Sequence, residues 1–240
     1  MLGLGRLAVF LSCAGAAMPA SAIAAEAMSC QLPTTLSTPH ISPAQPTEVR
    51  KMPIGGYTLA LSWSPQYCAE QQGGGGTQCN KRYGRFGFVL HGLWPEGKNG
   101  QGWPQYCSQA SLVPQAVLKA NFCSMPSVQL MQHQWTKHGT CMARRPEEYF
   151  SRARGLYQRI HFPAMDEMAR RRDLKAGDLL NSFVRANEGL SADTVRIRTN
   201  RSGYLDEIWI CLDTAFRPVR CPASKKGLRL SAPLRIRQRG

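Results

Sequence analysis

Nine cysteines occur in this chain, and the position of one decides how the other eight are read. Cys13 lies in an N-terminal stretch, residues 1–25, that holds one cation, Arg6, then an apolar run from Leu7 to Ala17, then small residues from Pro19 to Ala25. That order is the order of a secretory signal peptide, with cleavage expected between Ala22 and Ala25. Cleavage removes Cys13 and leaves Cys30, Cys68, Cys79, Cys107, Cys123, Cys141, Cys211 and Cys221. An even set of cysteines in an exported chain implies four disulfides. The spacings form no paired C-x-x-C motifs, which disfavours a zinc site, and they do not choose among the many possible pairings. The apolar run is shorter than the roughly 20 residues that span a bilayer, and no later segment reaches that length. The expected destination is the periplasm or the medium, with no transmembrane segment.

The remaining length suits one domain with a sizeable core. Residues 26–50 read as a Pro/Ser/Thr-rich linker without periodic apolar residues, residues 51–224 as the folded domain, and residues 225–240 as a basic tail expected to be loosely held. Thirty Lys and Arg against fifteen Asp and Glu give a net charge of +15. Such a charge steers polyanions to the surface, although basic residues can also serve solubility alone.

Tyr57 to Trp63 alternates large and small side chains before Pro65, as a strand does. Gly73 to Gly76 predict a flexible loop between Cys68 and Cys79. Phe86 to Leu90 reads as a buried strand running into a loop at His91-Gly92-Leu93-Trp94-Pro95-Glu96, with Pro95 ending regular pairing. Ser127 to His138 lacks Gly and Pro and predicts a helix that Gly139 terminates. Further helices are predicted over residues 147–160 and 170–188, and strands over residues 195–199 and 204–212.

Three of the five histidines fall in two short segments, Phe88 to Pro95 and His133 to Cys141. On a helix His133 and Lys137 are i, i+4 neighbours, as are Gln134 and His138, so the two faces can converge on one anion. A pair of histidines can take and give a proton near neutrality, as in-line attack by an RNA 2′-hydroxyl requires on opposite sides of phosphorus. A nearby lysine stabilises charge developing on the phosphoryl oxygens. Each piece alone has a plainer reading: a histidine beside tryptophan is commonly a hydrogen-bonded core residue, and a helical His-Lys pair is commonly surface. Zinc held by His133 and His138 fails on spacing, since i, i+5 does not share a helix face.

The two segments resemble the two active-site signatures of the ribonuclease T2 family. The resemblance extends from Tyr57 to Pro222 and includes Tyr57 to Cys68, Tyr149-Phe150, and Glu207-Ile208-Trp209-Ile210-Cys211-Leu212-Asp213. It implies an α+β fold, the ribonuclease T2 fold, with a mainly antiparallel sheet packed against helices and bound by disulfides. It implies an endoribonuclease acting on single-stranded RNA through a 2′,3′-cyclic phosphate, without metal or other cofactor. DNA, which lacks the nucleophile, is not expected to be cleaved. His138 is implied as general base, His91 as general acid, His133 and Lys137 as binders of the phosphate and transition state, and Trp94 and Glu96 as the seat of a base. One departure stands out: the family usually has glutamate after the first histidine of the second signature, and this chain has Gln134.

The resemblance also implies disulfides Cys107–Cys141 and Cys211–Cys221. Local spacing suggests Cys68–Cys79, and Cys30–Cys123 follows by elimination. A monomer is expected. Two rivals to this reading are a non-catalytic exported RNA-binding or toxin-like protein on the same scaffold, and a metal-dependent exported nuclease. The signatures lack the acidic ligands that a divalent cation would need.

Overall fold

The structure, a computed structural model, describes residues 30–71, 74–98 and 102–239. The expected signal segment, the first residues of the linker and Gly73 of the glycine-rich loop lie outside the described residues. Four strands, β1 (Ile54–Trp63), β2 (Phe88–Gly97), β3 (Val195–Thr199) and β4 (Leu205–Leu212), form an antiparallel sheet in the order β2-β1-β4-β3. Between them lie α1 (Ser64–Glu70), a helical turn α2 (Gly76–Cys79), α3 (Gln115–Asn121), α4 (Val128–Lys137), α5 (Pro146–Tyr157), α6 (Met165–Arg170) and α7 (Ala176–Ala186). Period-two alternation turns Leu59, Leu61, Ile208 and Ile210 into the core, which Leu90 and Leu93 of β2 also enter. Helix residues Met131, Trp135, Tyr149, Phe150, Leu179 and Phe183 pack within the same core. Among the described residues no helix is long and apolar enough to cross a membrane.

Strand β2 does not stop at Leu90. It continues through His91 and Pro95 to Gly97 because it is an edge strand, where a residue without an N–H costs no ladder hydrogen bond. Its outward backbone groups are satisfied from elsewhere in the chain. Leu90 N–H donates to the Ser124 carbonyl at 2.8 Å, and the buried Tyr149 hydroxyl accepts from Leu93 N–H at 3.2 Å and donates to Leu93 O at 3.3 Å. Tyr157 donates to Phe88 O at 2.9 Å. Two tyrosines of α5 thus finish the edge that carries the first histidine.

The helix predicted over residues 170–188 begins later: Arg170 is the last residue of α6, and α7 spans Ala176–Ala186. The break at residues 171–175 arises because Asp178 accepts from Lys175 N–H and starts α7 afresh. The first N–H groups of α7 are then used by the C-terminal segment: Ala176 N donates to Ala232 O and Gly177 N to Leu230 O. The expected loose tail is instead packed, with Leu234 3% and Ile236 7% exposed. The linker also contributes to the core through Leu36, 8% exposed. Disulfides join Cys30–Cys123, Cys68–Cys79, Cys107–Cys141 and Cys211–Cys221.

Candidate active site

An irregularity in β2 creates the site. Ala60 of β1 pairs with Gly92 while Leu61 pairs with Leu90, so His91 is an extra residue without a partner across the ladder. Such a bulge puts two successive residues on one face. Leu90 and Leu93 can then both enter the core while His91 and Trp94 both face the other way. Without the bulge one of these pairs would be misplaced.

Cross-strand neighbours fill out that face. Thr58 lies opposite Trp94, Ala60 is flanked by Gly92 and Trp209, and Ser62 is opposite Glu207. His91 Nδ1–H donates to Glu207 Oε1 in a short hydrogen bond. Glu207 also accepts from Ser62 Oγ at 3.1 Å and from Trp209 Nε1 at 2.6 Å. Burial would raise the Glu207 carboxyl, but the bond from His91 and those from Trp209 and Ser62 outweigh it and hold the group below its ordinary value. Glu207 is therefore an anion that fixes the orientation and tautomer of His91.

The second segment approaches from α4. Ser127 caps its N-terminus by accepting from Leu130 N–H, and the helix runs to Lys137 with His138 at its C-cap. Gly139 does not end the chain's helical path in a left-handed turn; a 3₁₀ turn over Gly139–Cys141 follows. Glycine is required there by contact, since a Cβ would lie 2.4 Å from Trp135 and 3.0 Å from Tyr149. The helix end is tied by Tyr106 N–H donating to Lys137 O and by the Cys107–Cys141 disulfide.

Trp94 stands between the two histidines. Its ring is 5.1 Å from that of His91 and 5.7 Å from that of His138. Its Nε1–H donates to Gln134 Oε1 at 2.8 Å. An indole can only donate, so this bond assigns the amide: oxygen toward Trp94, NH₂ away from it. The approach needs Gly92, where a Cβ would fall 2.1 Å from Gln134 Oε1 and 2.5 Å from Trp94 Nε1.

His138 is 7% exposed, and its Nδ1 has no hydrogen-bond partner. Burial, then Lys137, His133, His91 and Arg50, lower its pKa to about 2, so the imidazole is neutral and able to accept a proton. Partial desolvation, then Lys137 and His91, lower that of the exposed His133. The structure therefore brings His91, His133, Gln134, Lys137, His138 and Trp94 into one neighbourhood. Glu96 shares the face of Trp94, but its Oε1 already accepts from Thr58 Oγ1 at 2.7 Å and from Lys225 Nζ at 2.6 Å. Lys225 also lies 5.3 Å from the centre of the Trp209 ring.

Glu207, Trp209 and Lys225 escaped the reading of the sequence as site residues. The signal for Glu207 was available: a carboxylate directly before the apolar run Ile208-Trp209-Ile210-Cys211 must have a partner if buried. Among the described residues no group of three His, Cys, Asp or Glu is placed to hold a metal ion.

The comparisons agree on a family. The sequence model of the Ribonuclease T2 family matches residues 54–221. A probable ribonuclease of Haemophilus influenzae is 28% identical over 184 residues, 71% of this chain and 62% of the relative. A ribonuclease of Aeromonas hydrophila is 37% identical over 108 residues, 45% of this chain and 46% of the relative. The chain thus spans less than two thirds of these relatives. Among solved structures, trichomaglin, described as an S-like ribonuclease, has a TM-score of 0.58 at 19% identity, covering 74% of this chain and 96% of its own, and so shares the fold.

Proposed function

This chain belongs to the ribonuclease T2 family, and on that premise we propose that it is an exported, metal-independent endoribonuclease that cleaves single-stranded RNA through a 2′,3′-cyclic phosphate. The observation that carries the reading is the placement of two histidines on either side of Trp94, one hydrogen-bonded to Glu207 and the other buried. His138, buried and neutral, suits removal of the 2′-hydroxyl proton. His91, whose Nδ1–H is held by Glu207, suits protonation of the departing 5′-oxygen, because that bond aims Nε2 away from the carboxylate and fixes the ring.

Attack of the 2′-oxygen on phosphorus forms one P–O bond as the P–O5′ bond breaks. The proton taken by His138 and the proton given by His91 balance the step. Lys137 supplies positive charge for the phosphoryl oxygens, and His133, its pKa lowered, supplies a ring N–H donor. Gln134 adds a neutral donor: with Oε1 committed to Trp94, its NH₂ is the end left for a phosphoryl oxygen. The Trp94 ring offers a surface for a base, which is sequence-tolerant and worth about 1–3 kcal/mol. The four disulfides and the N-terminal sequence fit export to the periplasm or medium.

The test is digestion of single-stranded RNA and matched DNA by the mature protein in excess chelator, beside His91→Ala, with product ends analysed. RNA-only cleavage that yields cyclic phosphate and falls by about two to four orders of magnitude in the variant is expected. Cleavage of DNA, or loss of activity to the chelator, refutes the mechanism.

A further inference from the structure

We propose that Arg198, Arg235 and Arg237 form an RNA-backbone subsite beside His91, and that it holds nucleotides on the leaving-group, or 3′, side of the scissile phosphate. The inference rests on the proposed reading only for its direction, which follows from His91 being the proton donor to the departing oxygen.

The residues come from two places. Arg198 is on β3, opposite Glu207. Arg235 and Arg237 belong to the C-terminal segment, beyond the residues that match the family. That segment alternates as a strand does: Leu234 and Ile236 are buried, Arg235 is exposed and Arg237 half-buried. Its backbone is pinned along the start of β4. Arg235 N–H donates to Gly203 O, Leu205 N–H donates to Arg235 O at 2.7 Å, and Trp63 Nε1–H donates to Arg237 O at 2.8 Å. The burial of the alternate residues forces both arginines outward from a fixed backbone.

Aromatic rings hold the cations in place. Arg237 lies 4.7 Å over the Tyr204 ring with Arg235 at 5.8 Å, and Arg198 lies 4.6 Å over Trp209. A guanidinium lying on a ring face keeps its N–H edge available for phosphate oxygens. One such N–H of Arg198 is used by Lys226 O, and Arg237 Nε by Gln66 Oε1. None of the three arginines makes an ion pair within the described residues. Three unneutralised cations fixed on one surface are a poor use of charge for stability and a good one for a polyanion.

The surface adjoins the reaction centre. Tyr204 precedes Glu207 by three residues, roughly 10 Å along a strand. Asp206 lies between them. Burial, then Glu207 and Glu70, raise its carboxyl, while His91 and Arg198 are close enough to pull it down. Glu70, the other carboxylate here, already accepts from Gln66 and Asn200. On this side His91 thus neighbours the Glu207 carboxylate that it binds, Asp206 and the arginines.

The experiment compares a dinucleotide with the same dinucleotide extended by several nucleotides on the 3′ or the 5′ side, for the parent, Arg235→Gln/Arg237→Gln and Arg198→Gln. The parent gains kcat/KM on 3′ extension. The double variant loses about tenfold on 3′-extended substrates, consistent with two phosphate contacts, and keeps dinucleotide activity. Its slope of log affinity against log salt becomes shallower by about 1.4, or about 0.7 per lost contact. No gain from 3′ extension, or an equal loss on every substrate, overturns the proposal. An uncleavable 2′-O-methyl oligonucleotide supplies an independent arm by fluorescence anisotropy: about tenfold weaker binding supports the subsite, and an unchanged Kd overturns it. A parent that binds this probe but cleaves no RNA refutes the catalytic reading instead.

Discussion

Glu207→Gln isolates what the buried carboxylate does for His91. The variant preserves volume but removes the charge, and its single oxygen cannot accept from both His91 Nδ1–H and Trp209 Nε1–H as the two carboxylate oxygens do. If the amide NH₂ turns toward His91, Nδ1 must accept, and the ring orientation and tautomer that the proposed reading needs for proton donation are lost. A hydrogen bond to a charged partner contributes about 1.5–3 kcal/mol, which corresponds to about 10- to 150-fold in rate. The ceiling is the whole contribution of a general acid, about two to four orders of magnitude. The assay is kcat for a dinucleotide and for a 3′-nucleotide aryl phosphodiester, whose phenolate leaves without protonation. Glu207→Gln is expected to be about a hundredfold slower on the first and nearly unimpaired on the second, with thermal unfolding measured alongside. An equal loss on both substrates would refute the reasoning, because it would place Glu207 in general support of the fold rather than behind the proton donor.

Three other substitutions probe separate links. Tyr149→Phe strips Leu93 N–H and C=O of their common partner, and chemical unfolding should show about 1–3 kcal/mol lost; an unchanged midpoint would mean that another group covers the edge. Gln134→Glu replaces a donor that works at any pH with one that donates only when protonated, so its rate relative to the parent should fall as pH rises; parallel pH–rate profiles would remove Gln134 from the site's chemistry. His138 is held neutral in the fold down to about pH 2 but protonates near 6.5 when unfolded. The unfolded state then binds the extra proton between those values, so this residue leaves stability unchanged above about pH 6.5 and lowers it by about 1.4 kcal/mol per pH unit below. His138→Gln should flatten that acid limb, and an unaltered slope from pH 6 to 4 would show the burial to be mistaken.

Short-range alternation made three of the strands legible, because one buried face imposes period two. It failed at Pro95, where the residue type was read without knowing that the strand lay at an edge. The helix reading failed at residues 171–175, where no glycine or proline marks the break; Asp178 caps a new start at Lys175, and a distant segment takes the N–H groups of Ala176 and Gly177. The tail was read by charge, although Leu234-Arg235-Ile236-Arg237 carries the same period-two signal as the strands. Among site residues, the histidines and Lys137 stood out through titration chemistry and helical spacing. Glu207 did not, since its meaning depends on the β1–β4 register that brings it to Ser62 and on the bulge that turns His91 toward it.

Gln134 has a consequence for His138 that concerns the whole constellation. A carboxylate at position 134, beside Trp94 and one turn from His138, would favour the protonated imidazole and work against a neutral base. With an amide there, the charged groups acting on His138 are Lys137, His133, His91 and Arg50, all of which lower its pKa. On the proposed reading the imidazole is therefore neutral before substrate arrives, and the negative charge of the phosphate raises its proton affinity. The amide thus exchanges a conditional donor for a permanent one and leaves the anion that would have favoured the protonated base to be supplied by RNA itself. On the proposed reading, the departure from the family's glutamate thus changes how the site is charged without removing either histidine.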